Sequence, residues 1–399
     1  MLDGQLLDWL GLLVRWLHVI TGIAWIGASF YFIWLDLSLE PVSGEKAERG
    51  LKGELWSIHG GGIYEVGKYR LAPPVMPETL HWFKWEAYST WMTGTLLLIL
   101  LYYVQAQSYL VDADSWLQSP GVAVVGSLAF LAAGIVAYES CVRLGWAAAG
   151  AGFAVGFFLL LLGLSWLAFQ LFSPRAAMLH LGALLGTIMA GNVFLGIMPS
   201  QRALIDAIET GTEPPVHLAD LAKQRSTHNN YFTLPVLFCM LANHASFVFG
   251  HPYAWALVPL LGACAAYGRH YFNLKHRGEH RPRVLAGAAV GAVALFAVAT
   301  SILPARAFVP TPDSSGEPIT AAAVTQVLAA RCAGCHAPEP SFAGYVAPPG
   351  GLIFLKPADL LAHRGRVLSS LQSGYMPLGN LTGITDKERA LLLAFTAQE

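Results

Sequence analysis

The 399-residue chain is 55% hydrophobic with a mean hydropathy of +0.51, and only 12% of it is charged, about half the usual share. This composition excludes an ordinary soluble globule, and the near-balance of 24 Lys+Arg with 25 Asp+Glu excludes the basic field that holds nucleic acid. Five scattered cysteines exclude a disulfide scaffold.

A helix crosses a hydrocarbon core of about 30 Å in about 20 residues. On that ruler the apolar runs predict spans near 11–35, 88–108, 121–141, 147–172, 177–198, 231–250, 252–270 and 284–303. No basic segment precedes the first run, so it is expected to remain a helix and not a cleaved signal peptide. It carries Arg15 and, one turn later, His18. The loop at 36–87 contains His59-Gly60-Gly61-Gly62-Ile63-Tyr64, where three glycines beside an imidazole would allow a ligand close to the backbone. It ends in an aromatic-cationic run with His81, Lys84 and Glu86. That run reads equally as substrate contacts and as an interfacial belt with snorkelling lysines. The third and fourth spans are divided by a short polar hinge at 138–143 that includes Glu139. Span five carries His180 and Asn192, and the entry to span six is a dense polar set from Arg225 through His228, Asn229 and Asn230 to Tyr231. His244 follows further along that span.

Eight spans place both ends on one side. The loops at 36–87, 142–146, 199–230 and 269–283 hold fifteen Lys/Arg, and the opposite set holds only Arg175 and Arg306. The positive-inside rule makes the first set cytoplasmic. The histidines then form an outer layer, His18, His180 and His244, and a cytoplasmic layer, His59, His81 and His228. An ionisable group inside a span is a functional candidate by default. Each of these six is a candidate catalytic base, and the outer three are also candidate ligands of a b-type haem. Hydrogen-bonded packing between helices is the alternative for each. Cys141, Cys239 and Cys264 read as buried spectators.

After Pro304 the composition turns polar. Cys332-Ala333-Gly334-Cys335-His336 is a C-x-x-C-H box, the pattern for covalent attachment of haem c. Two thiols on one helical turn can reach both vinyl groups, and the adjacent His336 then binds the iron. A redox dithiol or half a zinc site is the competing reading, but no second cysteine pair follows. Met376, the tail's one methionine, lies in a Gly/Pro-rich loop and is the expected sixth ligand, with His363 as competitor. A thioether opposite His raises the potential and suits electron transfer. The expected fold is therefore mainly α. It comprises an eight-helix transmembrane bundle at 1–303, a linker at 304–320 and a small periplasmic cytochrome c domain at 321–399.

Several stretches carry a resemblance: HVITGIAWIGASFYF at 18–32, HGGGIYEVGKYRLAPP at 59–74, LHWFKWEAY at 80–88, GTIMAGNVF at 186–194 and STHNNYFTLPVLFCMLANH at 226–244. Together with the C-x-x-C-H tail, the chain resembles the membrane-bound urate hydroxylases of the PuuD type. The resemblance implies an inner-membrane oxidoreductase that converts urate to 5-hydroxyisourate. It also implies that electrons pass through the chain's own haem c to a soluble cytochrome c or terminal oxidase. Such a site needs a base and groups that hold a purine monoanion. Arg15, Tyr64, Lys84, Glu86, Asn229 and Asn230 are the candidate substrate contacts. A quinol–cytochrome c oxidoreductase with b haems and a membrane-tethered electron-transfer cytochrome are the alternative functions.

Overall fold

Long apolar runs become helices here, and where polar residues interrupt them the helices continue but change their role. The computed structural model describes residues 4–112, 115–301, 319–342, 345, 347–372 and 374–397. Most of the expected linker, and Arg306, lie outside them. The molecule is mainly helical. In chain order come α1 (Gly4–Leu37), a hairpin of β1 (Leu51–His59) and β2 (Gly62–Tyr69), and α2 (Trp85–Leu98), which runs into a π-helical turn at Ile99–Tyr103. Next are α3 (Pro120–Arg143), α4 (Ala151–Leu171) and α5 (Pro174–Gly191), which passes through a second π turn, Asn192–Ile197, into α6 (Met198–Glu209). The rods α7 (Val216–Ala242), α8 (Ala254–His276) and α9 (Pro282–Ser301) follow. In the tail, α10 (Ala321–Val327) leads through a π turn to the C-x-x-C-H box, and α11 (Arg364–Gln372) and α12 (Asp386–Ala397) complete it.

Among the described residues, five helices are long and apolar enough to cross a membrane: Trp9–Leu37, Pro120–Arg143, Ala151–Leu171, Pro174–Glu209 and Pro282–Ser301. Their outward residues, such as Trp16, Ile23, Val125, Val290 and Val293, are more than half exposed, an apolar surface that water does not tolerate over such an area. Three other rods, α2, α7 and α8, fall outside this apolar set. The reason is clearest in α7, which packs against α5, α8 and α1 and buries the polar side chains of Arg225, Asn229, Asn230 and Thr233 through its middle. It begins fifteen residues before the expected start at 231 and ends at Ala242, because an apolar window cannot see a helix half made of an internal polar network.

Two further expectations change. The polar hinge at 138–143 lies inside α3, and the chain turns after it, at Gly145 and Gly150, both with positive φ. The loop at 36–87 holds an antiparallel hairpin in which His59 faces Gly62 and Ile58 faces Ile63. The glycines serve the turn: Gly60 (φ 59°) and Gly61 (φ 82°) supply the two positive φ values of a tight two-residue hairpin connection. No other atom approaches either within 4 Å of a would-be Cβ.

The buried apolar residues of the bundle form one large cluster around α5, and those of the tail form a separate one around Leu328, Leu360 and Leu392.

Candidate functional site

The densest polar arrangement lies where α3, α5 and α7 meet. On α7, Arg225, His228 and Asn229 are spaced i, i+3 and i+4, which puts them on one helix face. Arg225 donates through Nη1 and Nη2 to both oxygens of Glu139 on α3, at 2.8 and 2.9 Å, and through Nη1 to Asn192 Oδ1 at 3.1 Å. Asn192 Nδ2 donates to Asn229 Oδ1 at 2.8 Å and to the Tyr138 hydroxyl at 2.9 Å, and Asn229 Nδ2 donates to the Met189 carbonyl. Tyr138 lies 2.8 Å from His228 Nδ1. The Tyr138 oxygen has lone pairs for both the Asn192 donor and an Nδ1–H donor from His228. The imidazole is held by that bond and stacked on Phe153 at 4.8 Å. The result is a hydrogen-bonded chain from a paired guanidinium to an imidazole.

Local backbone makes this possible. The π turn that begins at Asn192 precedes Pro199, whose ring cannot accept the ordinary helical approach of the carbonyl four residues back. Gly196 on that turn lets Arg225 through, since a Cβ there would stand 2.1 Å from the Arg225 Cδ.

Asn230 is rotated one position further around α7 and belongs to a different set. Its Oδ1 accepts from Arg269 Nε at 3.2 Å and from Asn273 Nδ2 at 2.9 Å, both on α8. The Arg269 guanidinium lies over the Phe30 ring of α1 at 3.9 Å. Arg269 and Asn273 were absent from the sequence-derived candidates because the apolar ruler ended the span at 270 and counted Arg269 as a loop charge. Arg225 was counted in the same way. Both are buried helix residues, and thirteen of the fifteen inner charges remain. The available signal was the one-turn spacing of Arg269 and Asn273.

The outer histidines do not converge on a common ligand. His180 is fully buried: Nδ1 donates to the Ala176 carbonyl at 2.7 Å, Nε2 meets Ser127 Oγ at 2.6 Å, and the ring stacks on Phe172 at 4.4 Å. Both of its ring nitrogens are therefore engaged by protein groups. His18 Nδ1 lies 3.1 Å from the Thr90 carbonyl and from Thr93 Oγ1. His244 is exposed at the end of α7, where Arg15 and Arg175 both bear on it electrostatically. Arg15 itself is exposed.

The residues expected in the cytoplasmic layer, other than His228, are dispersed. His59 and Tyr64 are exposed on the hairpin, and His81 is exposed with its ring edge-on to Phe83 at 4.5 Å. Lys84 lies over Trp85 at 5.8 Å, and Glu86 is half-buried with Oε2 lacking a hydrogen-bond partner. Lys68 of the hairpin and Lys223 of α7 both pair with Asp36 at the end of α1, fixing the hairpin base.

In the tail the donor set fits a c-type haem. His336 is buried and donates from Nδ1 to the Leu352 carbonyl at 2.8 Å, which leaves the Nε2 lone pair for a metal, as ligand histidines are usually oriented. Burial holds its pKa below the ordinary value, with the Leu352 bond working against that. Burial, and then the neighbouring Cys335, push the Cys332 thiol up to about 11. A redox C-x-x-C pair requires the opposite shift. Met376 is half-buried, its loop held by Arg389 Nη1 donating to the Met376 carbonyl at 2.7 Å. His363 packs edge-on to Phe354.

The Met376 loop is also where the tail meets the bundle. Tyr375 packs against Phe249 at 5.2 Å and accepts from Arg175 Nη1 at 3.2 Å. The Arg175 guanidinium lies about 6 Å from both the Tyr109 and Tyr375 rings (5.9 and 6.0 Å). Ser369 meets Ser246 at 3.0 Å, and Gly379 comes close to the carbonyls of Gln107 and Val111. These partners stand at the start of α5, beyond the end of α7 and in the segment after α2, so the tail caps one end of the bundle.

Fold and site together define a mainly helical protein with candidate membrane spans, an ion-paired polar network inside the bundle, and a small helical tail on one end. Residues 4–301 match the family described as urate oxidase N-terminal, and the chain belongs to that family. The match covers the bundle and stops before the tail. Comparison with curated proteins and with solved structures gave no match.

Proposed function

We propose that the chain is a membrane-bound urate hydroxylase. Urate and water become 5-hydroxyisourate, two protons and two electrons, and the electrons leave through the chain's own haem c toward a soluble cytochrome c or terminal oxidase. Membership of the urate oxidase N-terminal family carries this reading. The tail, docked through its Met376 loop on the bundle, supplies the reason to prefer electron export over direct reduction of oxygen.

Eight spans at 1–303, both termini periplasmic, and a haem domain at 321–399 in a bacterial inner membrane complete the proposal. The eight helical rods and the capping of one bundle end by the tail support it. Cys332 and Cys335 would attach the haem, with His336 and Met376 as axial ligands. When bound, haem c supplies a one-electron acceptor, so each urate requires two successive transfers. The Arg225–Asn192–Tyr138 chain positions His228, and His228 is the base we favour: with Nδ1–H donating to the Tyr138 oxygen, Nε2 is free to take a proton from substrate. A b-type haem on His180 is not part of the proposal, since both ring nitrogens are already bonded.

Turnover in labelled water under limiting oxygen tests the chemistry. Oxygen from water should enter the 5-hydroxyisourate with no peroxide released. Stoichiometric peroxide would return the reaction to the oxidase class, and label from molecular oxygen would make it an oxygenase.

A further inference from the structure

A buried guanidinium without a counter-ion needs an explanation, and the bundle holds two buried guanidiniums in contrasting states. Arg225 is matched by Glu139. Arg269, on α8 and 7% exposed, makes no ion pair with a carboxylate among the described residues. A lone ion taken out of water costs several kcal/mol after relaxation, so some other group must offset it.

The atoms around Arg269 indicate what that group is. Arg269 Nη2, Asn230 Nδ2 and Asn273 Oδ1 are buried and have no hydrogen-bond partner, although their residues are at most 7% exposed. Two are donors and one is an acceptor, on three side chains tied together through Asn230 Oδ1. Phe30 gives an aromatic ring beside them. Water could satisfy the amides but carries no charge to match the cation. An anion with no hydrogen-bond donor, such as chloride or sulfate, would leave the Asn273 acceptor unmet.

We propose that Arg269, Asn230, Asn273 and Phe30 form a binding site for a planar heterocyclic anion that carries adjacent carbonyl and ring N–H groups. Resting on the urate reading above, the ligand is the urate monoanion. Arg269 and Asn230 donate to its oxygens, Asn273 accepts from a ring N–H, and Phe30 borders its face. The site adjoins the His228 network through the Asn229–Asn230 step. It lies twelve residues below the outer end of α7, about 18 Å at 1.5 Å per residue.

Arg269→Met and Asn273→Asp test the site in the full-length holoprotein. Binding of labelled urate is measured anaerobically with the haem held reduced by dithionite, so affinity is read without turnover. Asn273→Asp places an internal carboxylate beside the cation and should weaken binding tenfold or more, as should Arg269→Met. Both should unfold at the same or a higher temperature than wild type without urate, because Arg269→Met removes the uncompensated buried charge and Asn273→Asp pairs it, and both should lose the urate-induced rise in unfolding temperature. A purely structural Arg269 would show the reverse: a lower unfolding temperature and unchanged urate affinity. Wild type that binds urate together with variants that bind it equally overturns the site and leaves the urate reading standing. Wild type that binds no urate overturns both.

Discussion

Glu139→Gln is the sharpest test of the ion-paired network, because it keeps the side chain's shape and removes its charge. Arg225 is 3% exposed and Glu139 15% exposed at their side chains, so the variant leaves a buried guanidinium without its carboxylate. Removing one partner of a buried pair costs about 3–5 kcal/mol. Glu139 also accepts from Arg143, but that arginine is 72% exposed, and Arg143→Ala should cost no more than about 1 kcal/mol. The double variant Glu139→Gln/Arg225→Met removes both charges and should recover part of the loss. Recovery stops short because Asn192 Oδ1 loses the Arg225 donor, worth roughly 1–3 kcal/mol when left unsatisfied. Tryptophan-fluorescence unfolding of the detergent-solubilised protein measures all four proteins. If Glu139→Gln unfolds like wild type and like Arg143→Ala, Arg225 is not held by a buried pair and the orientation of His228 has another cause.

Met376→Ala should leave haem covalently attached and lower its potential, read by spectroelectrochemistry; an unchanged potential would make His363 or another group the ligand. Cys332→Ser with Cys335→Ser should abolish attached haem while the bundle still inserts, since the two have separate apolar clusters; loss of membrane insertion would contradict that separation. A reporter at the C-terminus should score as periplasmic and one within 199–230 as cytoplasmic, and the opposite pattern would invert the topology. In the tail, the Thr385 backbone N–H, with Arg331 and the Thr385 hydroxyl, holds the Glu388 carboxyl below the usual glutamate range. Its stabilisation is present above the unfolded value of about 4.3 and is lost as pH falls through the lower folded value. Thermal unfolding followed at the haem should therefore become less acid-sensitive in Glu388→Gln, and an identical pH profile would refute this.

The apolar helices α1, α3, α4, α5 and α9 were legible because an unbroken run of hydrophobic side chains facing lipid announces itself locally. The C-x-x-C-H box was legible for a similar reason, its chemistry being contained in five consecutive residues. Asn229, Asn230 and His228 stood out as polar residues beside an apolar run, but their partners did not. Glu139 and Asn192 read as polar groups inside spans that need a partner, without showing which, and Arg269 read as a loop charge, because only packing of α8 against α7 brings it inside. The glycines at 60–62 misled in the other direction. Their freedom serves a hairpin turn, which a local motif cannot distinguish from a ligand loop. Phe30 and Gly196 matter through contacts across helices, and no spacing within one segment encodes those.

The central claim is that urate electrons enter this chain's own haem. Under strict anaerobiosis, urate added to the purified oxidised protein should reduce the haem c completely, with half a mole of 5-hydroxyisourate formed per mole of haem, because each urate yields two electrons and each haem accepts one. A haem that dithionite reduces and urate does not would contradict the account.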